Sequence, residues 1–269
     1  MRRHTLDYML VGIICAGSML ALAWPLIHGA TETLPKIAGS VLGPFFGAGF
    51  AFALNQGMQL RQRKKDRMGA GSLALFTLSV QLNDCALLRH GFHEQLAKNS
   101  AGRPFAPTWA LASRFQYVFH ESAKGFEYKD LAFLLDTTAG GEAVNRLREI
   151  SRLYADTQDT FKKLDAAVER IQKDQSAAEK TNPEATYSQR AKALGPEVTQ
   201  LVSSLMHNLL SSTERFPGRA ETAFDMLDRE LEERFGPPAW KPARVSTTWY
   251  APGNLKPLPP LFARERVAG

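Results

Sequence analysis

The chain has 269 residues, 15 prolines, 20 glycines, two cysteines and a formal net charge of +6, which leaves room for a membrane segment and one soluble domain and excludes a disulfide or zinc framework. The charge is uneven: residues 59–67 carry +4, residues 236–269 carry +4, residues 1–58 carry +1, and the stretch between sums to −3. Positive charge gathered in a collar and a tail does not require a nucleic-acid partner, and none is expected.

No Asp, Glu, Lys or Arg occurs from Tyr8 to Thr31 or from Ile37 to Leu60, and a hydrocarbon layer is crossed by ~20 apolar residues. Residues 1–58 therefore predict a two-helix transmembrane hairpin with spans at about 8–28 and 37–58. Trp24 falls where an indole sits at the headgroup level, and Pro25 bends or ends the first span. His28 to Lys36 then forms a short external turn. A competing reading is a signal peptide cleaved after Ala21-Leu22-Ala23, although the apolar run is longer than a typical signal core.

The second span is followed by Arg61, Arg63, Lys64, Lys65 and Arg67. Basic residues beside a span are retained on the cytoplasmic face, so this collar (59–67), with Arg2 and Arg3, places both termini inside a bacterial-type inner membrane. The lipid bilayer is the first partner the sequence implies. Within the second span Gly39, Gly43, Gly47 and Ala51 recur every four residues and leave one face nearly bare. Such a face admits another helix to backbone contact, either the first span of the same chain or a second copy.

Residues 68–235 read as an all-α cytoplasmic domain. From Met68 to about Lys98 the pattern is helical, with Leu73, Phe76, Val80, Leu87, Phe92 and Leu96 expected inside; Gly69 and Gly71 mark where the helix either continues the span or breaks. Residues 99–107 form a stop and turn. Thr108 is expected to open a helix carrying Trp109, Phe115, Tyr117 and Phe119, and a short helix is expected near 127–136, buried on most sides by Leu131 to Leu135.

Residues 137–141, with Gly140 and Gly141, are expected to break the chain ahead of a long helix to about Lys180. Along it Leu147, Ile150, Tyr154, Thr157, Phe161, Leu164, Val168 and Ile171 recur at alternating three- and four-residue steps, a seven-residue seam. After a turn at 181–183, a helix from about 185 to 215 answers with Leu194, Val198, Leu201, Leu205 and Leu209, giving an antiparallel αα-hairpin. Phe216-Pro217-Gly218 is expected to end it. A last helix, 219–235, buries Phe224, Leu227, Leu231 and Phe235 and exposes Asp228, Glu230, Glu232 and Glu233.

Residues 236–269 change character: seven prolines fall between Pro237 and Pro260, with Trp240, Trp249 and Tyr250 among them. The segment is expected to be extended or disordered, and Lys256-Pro257-Leu258-Pro259-Pro260-Leu261 fits a polyproline II ligand. Trp240, Trp249, Pro257 and Pro260 are its partner-binding candidates; packing along the chain's own domain is the plainer alternative.

Chemistry is hard to place. His90 and His93 with Glu94 lack the HExxH spacing, His120 and His207 are isolated, no glycine elbow surrounds Cys85 or a serine, and no phosphate-cradling motif occurs. No catalytic residue, metal or cofactor is expected. The layout resembles that of small two-span effectors of bacterial antiviral systems, in which a membrane hairpin carries a cytoplasmic helical sensor; the resemblance is one of plan. The sequence thus favours a non-enzymatic, oligomeric, membrane-anchored module that binds a protein partner or itself. A pore-forming or transport-associated subunit assembled through the Gly39 face is the alternative, and a membrane-tethered enzyme the third.

Overall fold

The computed structural model describes residues 33–103, 105–123, 126–181, 185–236 and 255. The first span, the signal-peptide alternative, the turn at 182–183 and the Pro-rich segment with Trp240, Trp249, Pro257 and Pro260 lie outside the described residues. Every regular element among those described is helical. They are α1 (Thr33–Ser100), α2 (Thr108–Leu111), the 3₁₀ helices η1 (Glu121–Ala123) and η2 (Tyr128–Leu134), α3 (Thr138–Thr181), α4 (Tyr187–Leu194) and α5 (Pro196–Phe235). Chain contacts divide the protein into two units, Met1–Asp66 and Arg67–Gly269.

In the first unit α1 begins at Thr33, inside the expected turn, with Pro35 in its first turn, where no intrahelical N–H is needed. Pro44 lies in its interior. Large apolar side chains are exposed here: Phe50 by 68%, Phe52 by 61%, Leu54 by 52% and Met58 by 63%. Arg61, Arg63, Lys64 and Lys65 follow them, all exposed.

In the second unit α1, α3 and α5 share the core. Ala74, Leu75, Leu78 and Leu82 of α1 meet Val144, Leu147, Ile150 and Tyr154 of α3 and Phe216, Ala220, Leu227 and Leu231 of α5. Farther along, Leu88, Phe92 and Leu96 meet Phe161, Leu164, Val168 and Ile171 and then Val202, Met206, Leu209 and Leu210. The order of these contacts makes α5 antiparallel to α3, and α1 parallel to it. All eight seam residues of α3 are buried, because a seven-residue apolar repeat keeps one stripe against its neighbours.

α1 continues through Gly69 and Gly71 without a break. Phe92 and Leu96 are buried as expected, but from Leu73 to Leu87 the other side faces inward: Leu73, Phe76 and Leu87 are 63%, 50% and 46% exposed, and Val80 is half-buried. The helix is apolar on two opposite faces there, and Ala74, Leu75, Leu78 and Leu82 occupy the inside. Among the described residues α1 is the one helix long and apolar enough to cross a membrane, and 67% of its apolar window is buried. Since nothing from Gly47 to Ala70 is buried, that window lies mainly in the packed part of α1, beyond residues 37–58.

Three further expectations are corrected. The aromatic helix from Thr108 stops at Leu111, and residues 112–120 are extended. Phe115, Tyr117 and Phe119 turn inward while Arg114, Gln116, Val118 and His120 are exposed, which is the period of two of an extended chain. The 127–136 segment is a 3₁₀ helix that buries Leu131 and Leu134, residues three apart, while Ala132 and Leu135 are exposed; a three-residue turn eclipses side chains at that spacing.

The third correction concerns the helix after 185, which breaks early and then fails to break. Gly195 has φ 90° and Pro196 opens α5, a pairing of left-handed glycine and first-turn proline that separates two helices. A capping box at Thr186 and Gln189 starts α4. Pro217, in contrast, lies inside α5; buried Phe216, Ala220 and Ala223 hold both sides of it in the core. The register also shifts: Leu201 is 53% exposed, Val202 and Met206 are buried, and Phe224 and Phe235 are half-buried.

Candidate functional site

Between Met68 and Leu88 the only charged residue is Asp84, and it is fully buried. Its position on α1 faces the extended segment and α3 at once. Tyr117 Oη lies 3.0 Å from its Oδ1 and 3.1 Å from its carbonyl oxygen. The backbone N–H of His120 donates to Oδ2 at 3.1 Å, and the Tyr154 hydroxyl donates to the same oxygen. The His120 ring, itself exposed, places Nε2 4.0 Å from Oδ1. A buried carboxylate is costly unless its lone pairs are filled; two phenols and an amide fill them.

Aromatic rings surround this node. Phe119 meets Tyr154 and Phe161 edge to face, with centroids 5.9 and 5.7 Å apart, and Tyr117 meets Phe119 at 5.0 Å. Phe115 presses on Gly91, where an added Cβ would come within 2.3 Å of the ring. Gln95 and Asn99 secure the other end of the segment: Gln95 Nε2 donates to the Arg114 carbonyl at 3.0 Å, and Asn99 Nδ2 donates to the Leu111 carbonyl at 2.8 Å and to Ser113 Oγ at 2.7 Å. Arg114 reaches α3 through Asp165 and Glu169.

The electrostatics of the node suit holding better than reacting. Burial, then the hydrogen bond to Asp84, pushes the Tyr154 hydroxyl well above its ordinary range, so it stays a donor at neutral pH. Cys85 is fully buried, and burial followed by the charge of Asp84 raises its thiol as well. A thiol held protonated is a poor nucleophile.

A second polar cluster ties the opposite end of the bundle. Arg234 on α5 donates to Glu230 Oε1 at 2.7 Å, to the carbonyl of Phe133 at 2.7 Å and to Thr137 Oγ1 at 3.0 Å, and also binds Asp136. Thr137 in turn donates to Glu230 at 2.8 Å and accepts the N–H of Gly140 at 3.0 Å. Glu230, expected on an exposed acidic face, is therefore buried and paired. The Arg234 hydrogen bond holds the Asp136 carboxyl below the usual range. Gly140 fits only as glycine, since a Cβ would lie 2.1 Å from the Leu134 carbonyl oxygen.

Of the residues singled out from the sequence, Gly47 and Ala51 are exposed, and a Cβ added at Gly47 meets nothing within 4 Å. Gly39 and Gly43 lie in α1, with their surroundings outside the described residues. Arg61, Arg63, Lys64, Lys65 and Arg67 are exposed. His90 is half exposed with Glu94 at 3.8 Å, His93 is buried, and His207 Nδ1 lies 2.8 Å from the Ser203 carbonyl. Among the described residues no three His, Cys, Asp or Glu side chains are grouped to hold a metal.

Sequence reasoning missed the Asp84 node because its partners are 33 to 70 residues away; the lone charge in an apolar helix was the signal available. No protein-family model, curated protein or solved structure matches the chain.

Proposed function

We propose that the protein is a non-enzymatic, membrane-anchored helical module that binds a protein partner or a second copy of itself. The observation that carries this reading is the succession on α1 of exposed Phe50, Phe52, Leu54 and Met58 and then exposed Arg61, Arg63, Lys64 and Lys65. Exposed aromatic and aliphatic side chains suit hydrocarbon, and the basic residues suit anionic headgroups, each contributing ~1 kcal/mol near the surface. In this reading residues 8–28 and 37–58 span an inner membrane, both termini are cytoplasmic, and the Pro-rich segment with Trp240, Trp249, Pro257 and Pro260 recruits the partner. The α-helical body presents it.

The test is extraction of the full chain from membranes followed by identification of what leaves with it. Resistance to alkaline carbonate, and a defined partner released when 237–269 are deleted, support the module. Release by carbonate would overturn the anchor.

A pore or transport subunit is the second reading, favoured by the bare, exposed face at Gly47 and Ala51. It requires that expression depolarise cells and that Gly43→Leu abolish the effect.

A further inference from the structure

Residues 112–120 run extended against α1 and α3 without joining a sheet. Among the described residues, the backbone of 113–119 makes no hydrogen bond to other backbone. Side chains of α1 fasten the segment instead. Gln95 donates to the Arg114 carbonyl and Asn99 to the Leu111 carbonyl, while Asp84 accepts the His120 N–H and the Tyr117 hydroxyl. Arg114, half exposed, adds ion pairs to Asp165 and Glu169 of α3, and pairs so open to solvent hold little. No residue from 112 to 120 is fully buried, although Phe115, Tyr117 and Phe119 point inward.

The ends of the segment are held differently from its middle. Trp109 and Leu111 before it and Ala123 after it are buried, so any movement is a bulge between two fixed points. Beneath it lie Gly91 of α1 and Tyr154 and Phe161 of α3: Phe115 presses on Gly91, and Phe119 meets both α3 rings edge to face. Lifting the segment does not strand the charge below, because Asp84 keeps the Tyr154 hydroxyl and water replaces Tyr117 and the His120 N–H. The helices keep cores of their own, in which Leu147 and Ile150 lie with Phe216 and Leu227, and Leu164 and Val168 with Val202 and Met206.

We propose that residues 112–120 form a strap that opens as a unit while α1, α3 and α5 stay folded, with Asp84, Gln95 and Asn99 as its catches. A segment with few buried contacts, held by hydrogen bonds near solvent, opens locally at lower cost than the helices of the core. Opening uncovers the aromatic strip of Tyr154 and Phe161, so the strap governs when that strip is reachable. An open form present in ~0.1–10% of molecules is a minor state that one favourable contact or one substitution shifts. Gly91 makes the strap sensitive to a single methyl group, since the atoms nearest an added Cβ all belong to the Phe115 ring, the first at 2.3 Å.

This device stands independently of the membrane anchor. The test measures the distance between spin labels placed by Val118→Cys on the strap and Lys162→Cys on α3, both exposed positions, in the full chain carrying Cys15→Ser; Cys85 is buried and stays unlabelled. The parent should give one short distance. Gly91→Ala, which sets a methyl against Phe115, and the pair Gln95→Ala, Asn99→Ala, which removes two catches, should each add a longer distance and raise the open fraction at least about tenfold, from the minor-state range. Helix content and melting temperature by circular dichroism should stay close to those of the parent. One unchanged distance in both variants, or a longer one that appears only with loss of helix, would make 112–120 an integral part of the core and overturn the proposal.

Discussion

Asp84 collects hydrogen bonds from two tyrosines and one backbone amide at a point where α1, the extended segment and α3 converge. Removing one donor should cost about 1–3 kcal/mol, since the bond is buried and its acceptor is left with an unfilled lone pair. Tyr154→Phe should therefore lower the denaturant midpoint by that amount, and Asp84→Ala by more, because two hydroxyls lose their acceptor together. A Tyr154→Phe variant as stable as the parent would show that the node is not holding the fold. Gly140 gives a sharper contrast. Gly140→Ala drives a methyl into the Leu134 carbonyl and should cost about 3 kcal/mol, whereas Gly218→Ala, inside α5 with nothing within 4 Å, should gain about 1 kcal/mol. Equal melting temperatures for the two would refute the close approach at Gly140. Such details were only partly legible in the sequence: Asp84 is conspicuous as a single charge, but nothing local tells which tyrosines reach it.

At the scale of elements, legibility followed the strength of the periodic signal. The seam from Leu147 to Ile171 declares its helix because seven apolar residues and Thr157 keep one spacing, and every one is buried. The aromatic segment was harder, as Phe115, Tyr117 and Phe119 alternate over too few residues to outweigh a helical reading of their surroundings. Its extended form depends on Gln95, Asn99 and Asp84 of α1, which are distant in sequence. Proline signals misled in a different way. Pro217 would ordinarily end a helix, yet the buried residues on either side of it keep α5 intact. Pro217→Ala should restore the missing N–H and raise stability by about 2 kcal/mol, the interior cost of ~3 kcal/mol being partly offset by greater freedom of the unfolded chain. No gain in thermal denaturation would contradict a continuous α5.

The connection from η2 to α3 should also show a pH signature. The Asp136 carboxyl is depressed by Arg234, so its contribution is present above the ordinary carboxyl range near pH 4 and is lost as pH falls below it. Asp136 is 69% exposed in its side chain, so solvent screening keeps the effect small. Asp136→Asn should flatten the stability profile below about pH 4 and slightly lower stability at neutral pH, where the carboxylate's contribution is otherwise present.

For the whole molecule, the all-α architecture was readable from pattern, and the core of three helices follows from the faces those patterns bury. What the pattern left open was which side of α1 lies inside, because leucines and other apolar residues occupy both. The proposed role, a membrane-anchored module that engages a protein or its own copies, makes a plain demand on mass. Native mass spectrometry of the full chain extracted in mild detergent tests this most directly. The expected species is heavier than the 29.8 kDa chain, either a whole-number multiple of it or a stoichiometric complex with one defined partner. A single species at the mass of one chain, with no partner at any detergent concentration that keeps the helices folded, would contradict it.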